Sequence, residues 1–412
     1  MPVQETPLNS LPAVGIQPLI IGRYALFDEI ASGGMATVYF GRLIGAAGFA
    51  RQVAIKRLSS RLVSDEATRA MFVDEARLGA RIHHPNVVQT LDVVGHGDEL
   101  LLVMEYVHGE TLSRLAKSAR ARHEHIPVPI AVAIVTDLLQ GLHAAHEART
   151  EDDVALNIVH RDVSPQNVIV GRDGVSRVLD FGIARADVRS ELTREGIVKG
   201  KVAYMAPEQL LGETVTRQTD IFAAGVVLWE LLTGKRLLLG GENGDSLLVD
   251  TLLRGTFDPP SHHRPSLDPA IDAIVMCALE RDPADRFATT SDMARTLEGV
   301  SLVATSTQVG EWVQSLAGES LAERGRKLSA FERAETRPAP ARRASTDAAP
   351  VASSGGSVRT RAAWIAASFA LGMACMAAAS WAAYRHGVAS SRAIESPHPA
   401  VTSSTDAVSL QP

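Results

Sequence analysis

The octapeptide His160-Arg161-Asp162-Val163-Ser164-Pro165-Gln166-Asn167, followed thirteen residues after Asn167 by Asp180-Phe181-Gly182, restricts the fold more than any other stretch of this 412-residue chain. Asp162 and Asn167 stand five positions apart on a tight loop stiffened by Pro165. That spacing can aim a carboxylate at a hydroxyl nucleophile and an amide oxygen at a metal ion. Asp180 follows the apolar run Val175–Leu179, and Gly182 allows a sharp departure, which suits a Mg²⁺ ligand. Either motif alone would also serve as a cap or turn; their order and spacing point to one site.

Upstream, the alternating pattern from Tyr24 to Val38 is broken by Ser32-Gly33-Gly34, which predicts a hairpin with a glycine tip. Val53-Ala54-Ile55-Lys56 then puts a lysine on a strand, and Glu75 lies on the helix predicted over residues 65–81. A lysine held by a carboxylate can grip two phosphates of a nucleotide. A further strand is predicted over residues 100–106, and helices over 130–146, 220–232 and 268–278. The expected class is α+β, with a small strand-rich lobe ahead of a larger helical one.

The balance of 41 Lys+Arg against 47 Asp+Glu, net charge −6, excludes a chain built mainly to neutralise nucleic-acid phosphates. Two cysteines, Cys277 and Cys375, make no disulfide framework. No residue from Ala362 to Tyr384 is charged. A helix of that length, at about 1.5 Å per residue, crosses a hydrocarbon layer of about 30 Å. Trp364, Trp381 and Tyr384 lie near its ends, where an aromatic belt would place them. A buried alanine-rich helix of a soluble protein has a similar composition. Nine Lys and Arg residues between Arg324 and Arg361 precede the segment and only Arg385 and Arg392 follow it, so the long N-terminal part is expected in the cytoplasm and the C-terminus outside. The first twenty residues lack the pattern of a secretory leader. The expected organisation is an arm at 1–23, a catalytic domain at 24–300, a basic juxtamembrane linker at 301–361, a transmembrane helix at 362–384 and a polar tail at 385–412.

From Tyr24 to about Val300 the chain resembles the eukaryotic-type protein kinases, specifically the bacterial membrane-anchored serine/threonine kinases. The resemblance implies the two-lobed kinase fold, ATP and Mg²⁺ (with Mn²⁺ as an acceptable substitute), protein substrates and membrane-associated signalling, with no nucleic-acid partner; a homodimer is compatible with it. It assigns Asp162 as the base that orients the substrate hydroxyl, Lys56 and Glu75 as the phosphate-gripping pair, and Asn167 and Asp180 as metal ligands. The nucleotide would lie among Ile30, Gly33, Gly34, Val38, Ala54, Met104 and Ile169, with the backbone of Glu105 and Val107 on adenine. Ala206-Pro207-Glu208 would close the activation segment, Arg286 would pair with Glu208, and Asp220 would brace the catalytic loop.

Two departures stand out. Alanine replaces the first and third glycines of the phosphate loop, at Ala31 and Ala36, and Ser164 occupies the position where these kinases carry a lysine. Lys201 stands where the family usually has threonine, so Lys201 is expected to supply the charge missing at 164, against the plain alternative of a solvated lysine. Among the hydroxyls between Gly182 and Ala206, Thr193 is the expected autophosphorylation site. His143 and His146 have the bland expectation of a helix face. A second function class also fits the resemblance: a catalytically dead pseudokinase serving as a membrane scaffold. Retention of Lys56, Glu75, Asp162, Asn167 and Asp180 favours the enzyme.

Overall fold

The computed structural model describes residues 18–33, 36–46, 49–58, 66–96, 99–181, 202–238 and 244–333. Gly34, Gly182, Thr193, Lys201, the side chain of Glu75 and the expected membrane segment 362–384 lie outside them.

The small lobe is a six-stranded antiparallel sheet in the order β1-β2-β3-β4-β6-β5. Its strands are β1 Leu19–Ile21, β2 Tyr24–Ser32, β3 Ala36–Ile44, β4 Ala50–Leu58, β5 Thr90–His96 and β6 Glu99–Glu105, with helix α1, Glu66–Gly79, between β4 and β5. Register explains the division of labour within the sheet. Tyr39, Ile55 and Val103 stand opposite one another, and so do Val38, Lys56 and Leu102. Because side chains alternate between faces, the first set joins Tyr24, Leu26, Val53 and Leu101 in an outer core. The second set looks to the other face with Phe40, Ala54 and Met104, which are also mutually opposed.

The large lobe begins with β7, Gly109–Thr111, and α2, Leu112–Ala121; then come α3, Val128–His146, and the strands β8, Val168–Gly171, and β9, Ser176–Val178. It continues with α4 Pro207–Leu211, α5 Arg217–Thr233, α6 Gly244–Arg254, α7 Pro269–Ala278, α8 Thr290–Val300 and α9 Ser306–Arg333. Helix starts follow local capping chemistry: the Asp268 carboxylate accepts the Ala270 N–H, and the Thr289 hydroxyl accepts the Asp292 N–H. Helix α3 is apolar almost all round and forms the centre of the large-lobe core with α5. Among the described residues α3 alone is long and apolar enough to cross a membrane, and it is mostly buried in the domain, as expected of a core helix.

One expectation needs correction. Residues 301–361 read as a linker, yet Ser306–Arg333 is a 28-residue helix. Val309, Val313, Leu316, Ala317 and Leu321 recur at helical spacing and enter the large-lobe core, while Leu328 and Phe331 are buried against the small lobe. The high charge and scarce aromatics of this stretch hid a stripe that meets an apolar partner only in three dimensions. The folded unit therefore runs past residue 300.

Candidate active site

The catalytic loop lies between α3 and β8, and its shape depends on a buried carboxylate. Asp220, in the first turn of α5, accepts the backbone N–H groups of His160 at 2.8 Å and Arg161 at 2.9 Å, together with His146 Nε2 at 2.8 Å. Burial opposes its charge, but the His146 hydrogen bond, the neighbouring imidazoles and the backbone donor hold its carboxyl below the usual range. Arg161 has φ +64°, a strained value for a non-glycine residue, and the Gln209 side chain ties down its carbonyl at 3.0 Å. His160 accepts the Asp162 N–H at Nδ1 and so donates from Nε2 to the Leu179 carbonyl at 2.9 Å. Its ring also packs on Phe181, with centroids 5.0 Å apart. One buried imidazole thus links the loop bearing Asp162 to the segment bearing Asp180.

Asn167 donates Nδ2 to the Asp162 carbonyl at 2.7 Å and to its carboxylate at 3.0 Å. That commitment fixes the amide orientation and leaves its oxygen as the acceptor for a cation. Lys56 Nζ reaches Asp180 Oδ1 at 3.0 Å, joining the small lobe to the large one. Asp180 has φ +46°, and Oδ1 is buried with a charge partner but no aligned hydrogen bond. Lys56 also lies 5.9 Å from the centre of the Phe72 ring on α1, and Glu75 stands three residues further along that helix.

Asp180 and Asn167 fit Mg²⁺ by the hard oxygen donors they offer, the Asp180 carboxylate and the Asn167 amide oxygen left over by its Nδ2 bonds. Magnesium commonly takes one or two protein oxygens and completes its shell with water and phosphate. Ala54, Met104, Val107 and Ile169 meet in a single apolar cluster, as expected of an adenine slot. The Glu105 N–H is used on the Gln89 carbonyl at 3.0 Å, so an adenine contact at Glu105 falls to its carbonyl. Val38 lies on the same sheet face, Ile30 packs in a neighbouring cluster, and Gly33 closes the hairpin through its N–H to the Ala36 carbonyl at 3.0 Å. Ser164 is nearly buried and its carbonyl accepts the Asn167 N–H at 2.9 Å, so this position shapes the loop.

Beyond the loop, Arg286 spans both oxygens of Glu208 at 2.8 and 2.9 Å with essentially no solvent exposure at either side chain. Tyr204 donates to Glu230 at 2.8 Å, and Arg236 contacts both. Burial pushes the Tyr204 phenol and the Glu230 carboxyl up. Sequence reading missed His146, Gln209 and helix α9. His146 lies on a helix face as expected, but that face is buried and its Nε2 donates to Asp220. Its place near the end of a long apolar helix was the available signal.

The Asp162–Asn167 pair on the catalytic loop and the Lys56–Asp180 pair between the lobes are the arrangement expected of a nucleotide-dependent phosphotransferase. Residues 24–296 match the Protein kinase domain family, and the chain belongs to that family. Tyrosine-protein kinase MasK of Myxococcus xanthus is 40% identical over 296 residues, covering 71% of this chain and 46% of that protein. Serine/threonine-protein kinase PknL of Mycobacterium tuberculosis is 35% identical over 285 residues, covering 69% of this chain and 67% of that protein. This chain therefore spans about half to two thirds of these relatives. The crystal structure of the Mycobacterium tuberculosis PknI kinase domain shares the fold, with a TM-score of 0.52 and 24% identity over 69% of this chain and 98% of that one.

Proposed function

We propose that the protein is an ATP-dependent serine/threonine protein kinase held at the cytoplasmic face of a membrane. The reading rests on the convergence of Asp162, Asn167, Asp180 and Lys56 at one cleft of a protein kinase domain. Asp162 orients the substrate hydroxyl and takes its proton as the oxygen attacks the γ-phosphorus; the bond to the bridging oxygen breaks and ADP leaves. Lys56 neutralises phosphate charge, and Asn167 with Asp180 holds the cation. Mg²⁺, when bound, offsets the charge on the β- and γ-phosphates. Positioning and charge stabilisation supply the rate.

Incubating the chain with Mg²⁺ and γ-labelled ATP is expected to give labelled protein, with loss of about three orders of magnitude in Asp162→Asn. Label equal in both would leave the pseudokinase scaffold. Thr193 as the autophosphorylation site and Lys201 as the substitute charge belong to the same proposal. Thr193→Ala and Lys201→Ala are each expected to lower transfer, and near-normal rates would remove that role.

Phosphorylation of tyrosine is a second reading, favoured by the name of the MasK relative and by Ser164 in place of the lysine usual in serine/threonine kinases. Phosphoamino-acid analysis of the labelled product separates the two. For the anchor, the full chain should float with phospholipid vesicles after a carbonate wash, and a chain ending at residue 361 should not; co-flotation of both would put the attachment elsewhere.

A further inference from the structure

Helix α9 runs from the large lobe, past the segment linking the lobes, to the small lobe. Its first turn lies backbone to backbone on the β8–β9 turn. A Cβ at Gly174, where φ is +76°, would stand 1.7 Å from the Ser306 carbonyl oxygen, and one at Gly310 would stand 2.6 Å from that of Arg172. Midway, His108 Nε2 donates to the Leu321 carbonyl at 3.1 Å. Arg324 donates to the Gly109 carbonyl at 2.8 Å and pairs with the Glu110 carboxylate, with both side chains largely buried. Residues 108–110 directly follow Glu105 and Val107, the expected adenine-binding backbone. At the far end Phe331 stacks on Phe27 at 4.4 Å and meets Phe40 at 6.0 Å. Phe27, Ile30 and Tyr106 pack against the cluster of Phe40, Leu328 and Phe331. Arg42 donates to the Glu332 carbonyl at 3.4 Å, and Gln52 to its carboxylate at 2.7 Å.

The aromatic cluster therefore backs residues of the expected nucleotide site. Phe40 stands opposite Ala54 and two residues from Val38 on one sheet face, Ile30 belongs to the expected slot itself, and Tyr106 sits between its two hinge positions. We infer that Phe331, supported by Leu328, is a positioning residue for ATP: it fixes Ile30, Phe40 and Tyr106 so that the adenine slot exists before nucleotide arrives. Helix α9 is then a working part of the nucleotide site. The physical gain is preorganisation, since a slot already ordered loses less freedom on binding. The inference rests on the kinase reading above.

The test uses the full chain with Mg²⁺ and a fluorescent N-methylanthraniloyl-ADP, alongside steady-state kinetics in ATP. Phe331→Ala is expected to bind the probe about tenfold more weakly and to raise KM for ATP similarly, with kcat within about twofold. Phe331→Leu, which refills much of the volume, should recover most of the affinity, and the milder Leu328→Val should show a smaller loss in the same direction. Val275→Ala, a fully buried truncation on α7, lowers stability elsewhere and should leave probe affinity unchanged. Wild-type affinity in Phe331→Ala, or a loss no larger than that of Val275→Ala, overturns the positioning role. Failure of the unmodified chain to bind the probe at all strikes the kinase reading itself, and so the two failures are distinguishable.

Discussion

A carboxylate with 1% exposure survives only where donors replace its water, and Asp220 has His146 and two successive backbone N–H groups to do so. Those N–H groups belong to His160 and Arg161, and Arg161 adopts a conformation that side-chain-bearing residues avoid. The favourable charge-assisted bonds offset that strain, so the position of Asp162 depends on a residue that never meets substrate. Asp220→Asn would turn one acceptor oxygen into a donor facing a donor. A loss of about 3 kcal/mol in urea unfolding is expected at neutral pH. The sign of the pH effect follows from the depressed carboxyl. The stabilisation is complete above the unfolded value of about 3.9 and disappears as pH falls through the lower folded value. The wild type should lose that increment on acidification below about pH 4, and the variant should lack that part of the slope; parallel curves would contradict the assignment.

At the level of elements, the two ends of the large lobe are fastened differently. Arg286 holds Glu208 while donating to the carbonyls of Glu280, Gln218 and Arg281, so a buried fork joins α4, the start of α5 and the loop before α8. Helix α9 instead begins on a glycine contact. Gly174→Ala would force an unfavourable φ and drive Cβ into the Ser306 carbonyl. A stability loss of about 2 kcal/mol is expected, with faster proteolytic cleavage around residues 301–306, whereas Gly95→Ala, with no atom within 4 Å, should behave as wild type. Unchanged cleavage in Gly174→Ala would mean the first turn is not held there. The contrast shows what the sequence could convey. The pairing of Glu208 with Arg286 was legible because both stand in recognisable motifs, as were the strands around Lys56, whose alternation matches the pleat. Helix α9 was not legible, because its stripe at 309, 313, 316, 321 and 328 is diluted by charge and gains meaning only beside α2, β7 and the small lobe. His146 was missed for a related reason: the donor role of a histidine depends on Asp220, 74 residues away.

Across the whole folded unit, the lobes are joined by apolar contacts, Ile169 and Leu179 packing with the small-lobe cluster of Phe72 and Met104 and Leu328 and Phe331 packing on Phe40, and by the ion pair between Lys56 and Asp180 in the cleft. A nucleotide seated there would touch Lys56 from the sheet, the 105–107 segment and, through Mg²⁺, Asn167 and Asp180. It would therefore bind only the assembled pair of lobes and stabilise them by mass action. At about one hundred times Kd the gain is about 2.7 kcal/mol. For a unit of this size that corresponds to a rise in Tm of about 5 °C. Most of the rise should require magnesium, because without it the Asp180 carboxylate and the phosphates, like charges, share the Lys56 cation. Scanning calorimetry with ATP is expected to show the full shift with Mg²⁺ and a much smaller one with excess EDTA. Asp180→Asn, which keeps the shape but removes the charge that both Lys56 and the cation use, should give a shift that hardly depends on magnesium. A wild-type shift indifferent to magnesium would remove Asp180 as a metal ligand while leaving the adenine slot standing.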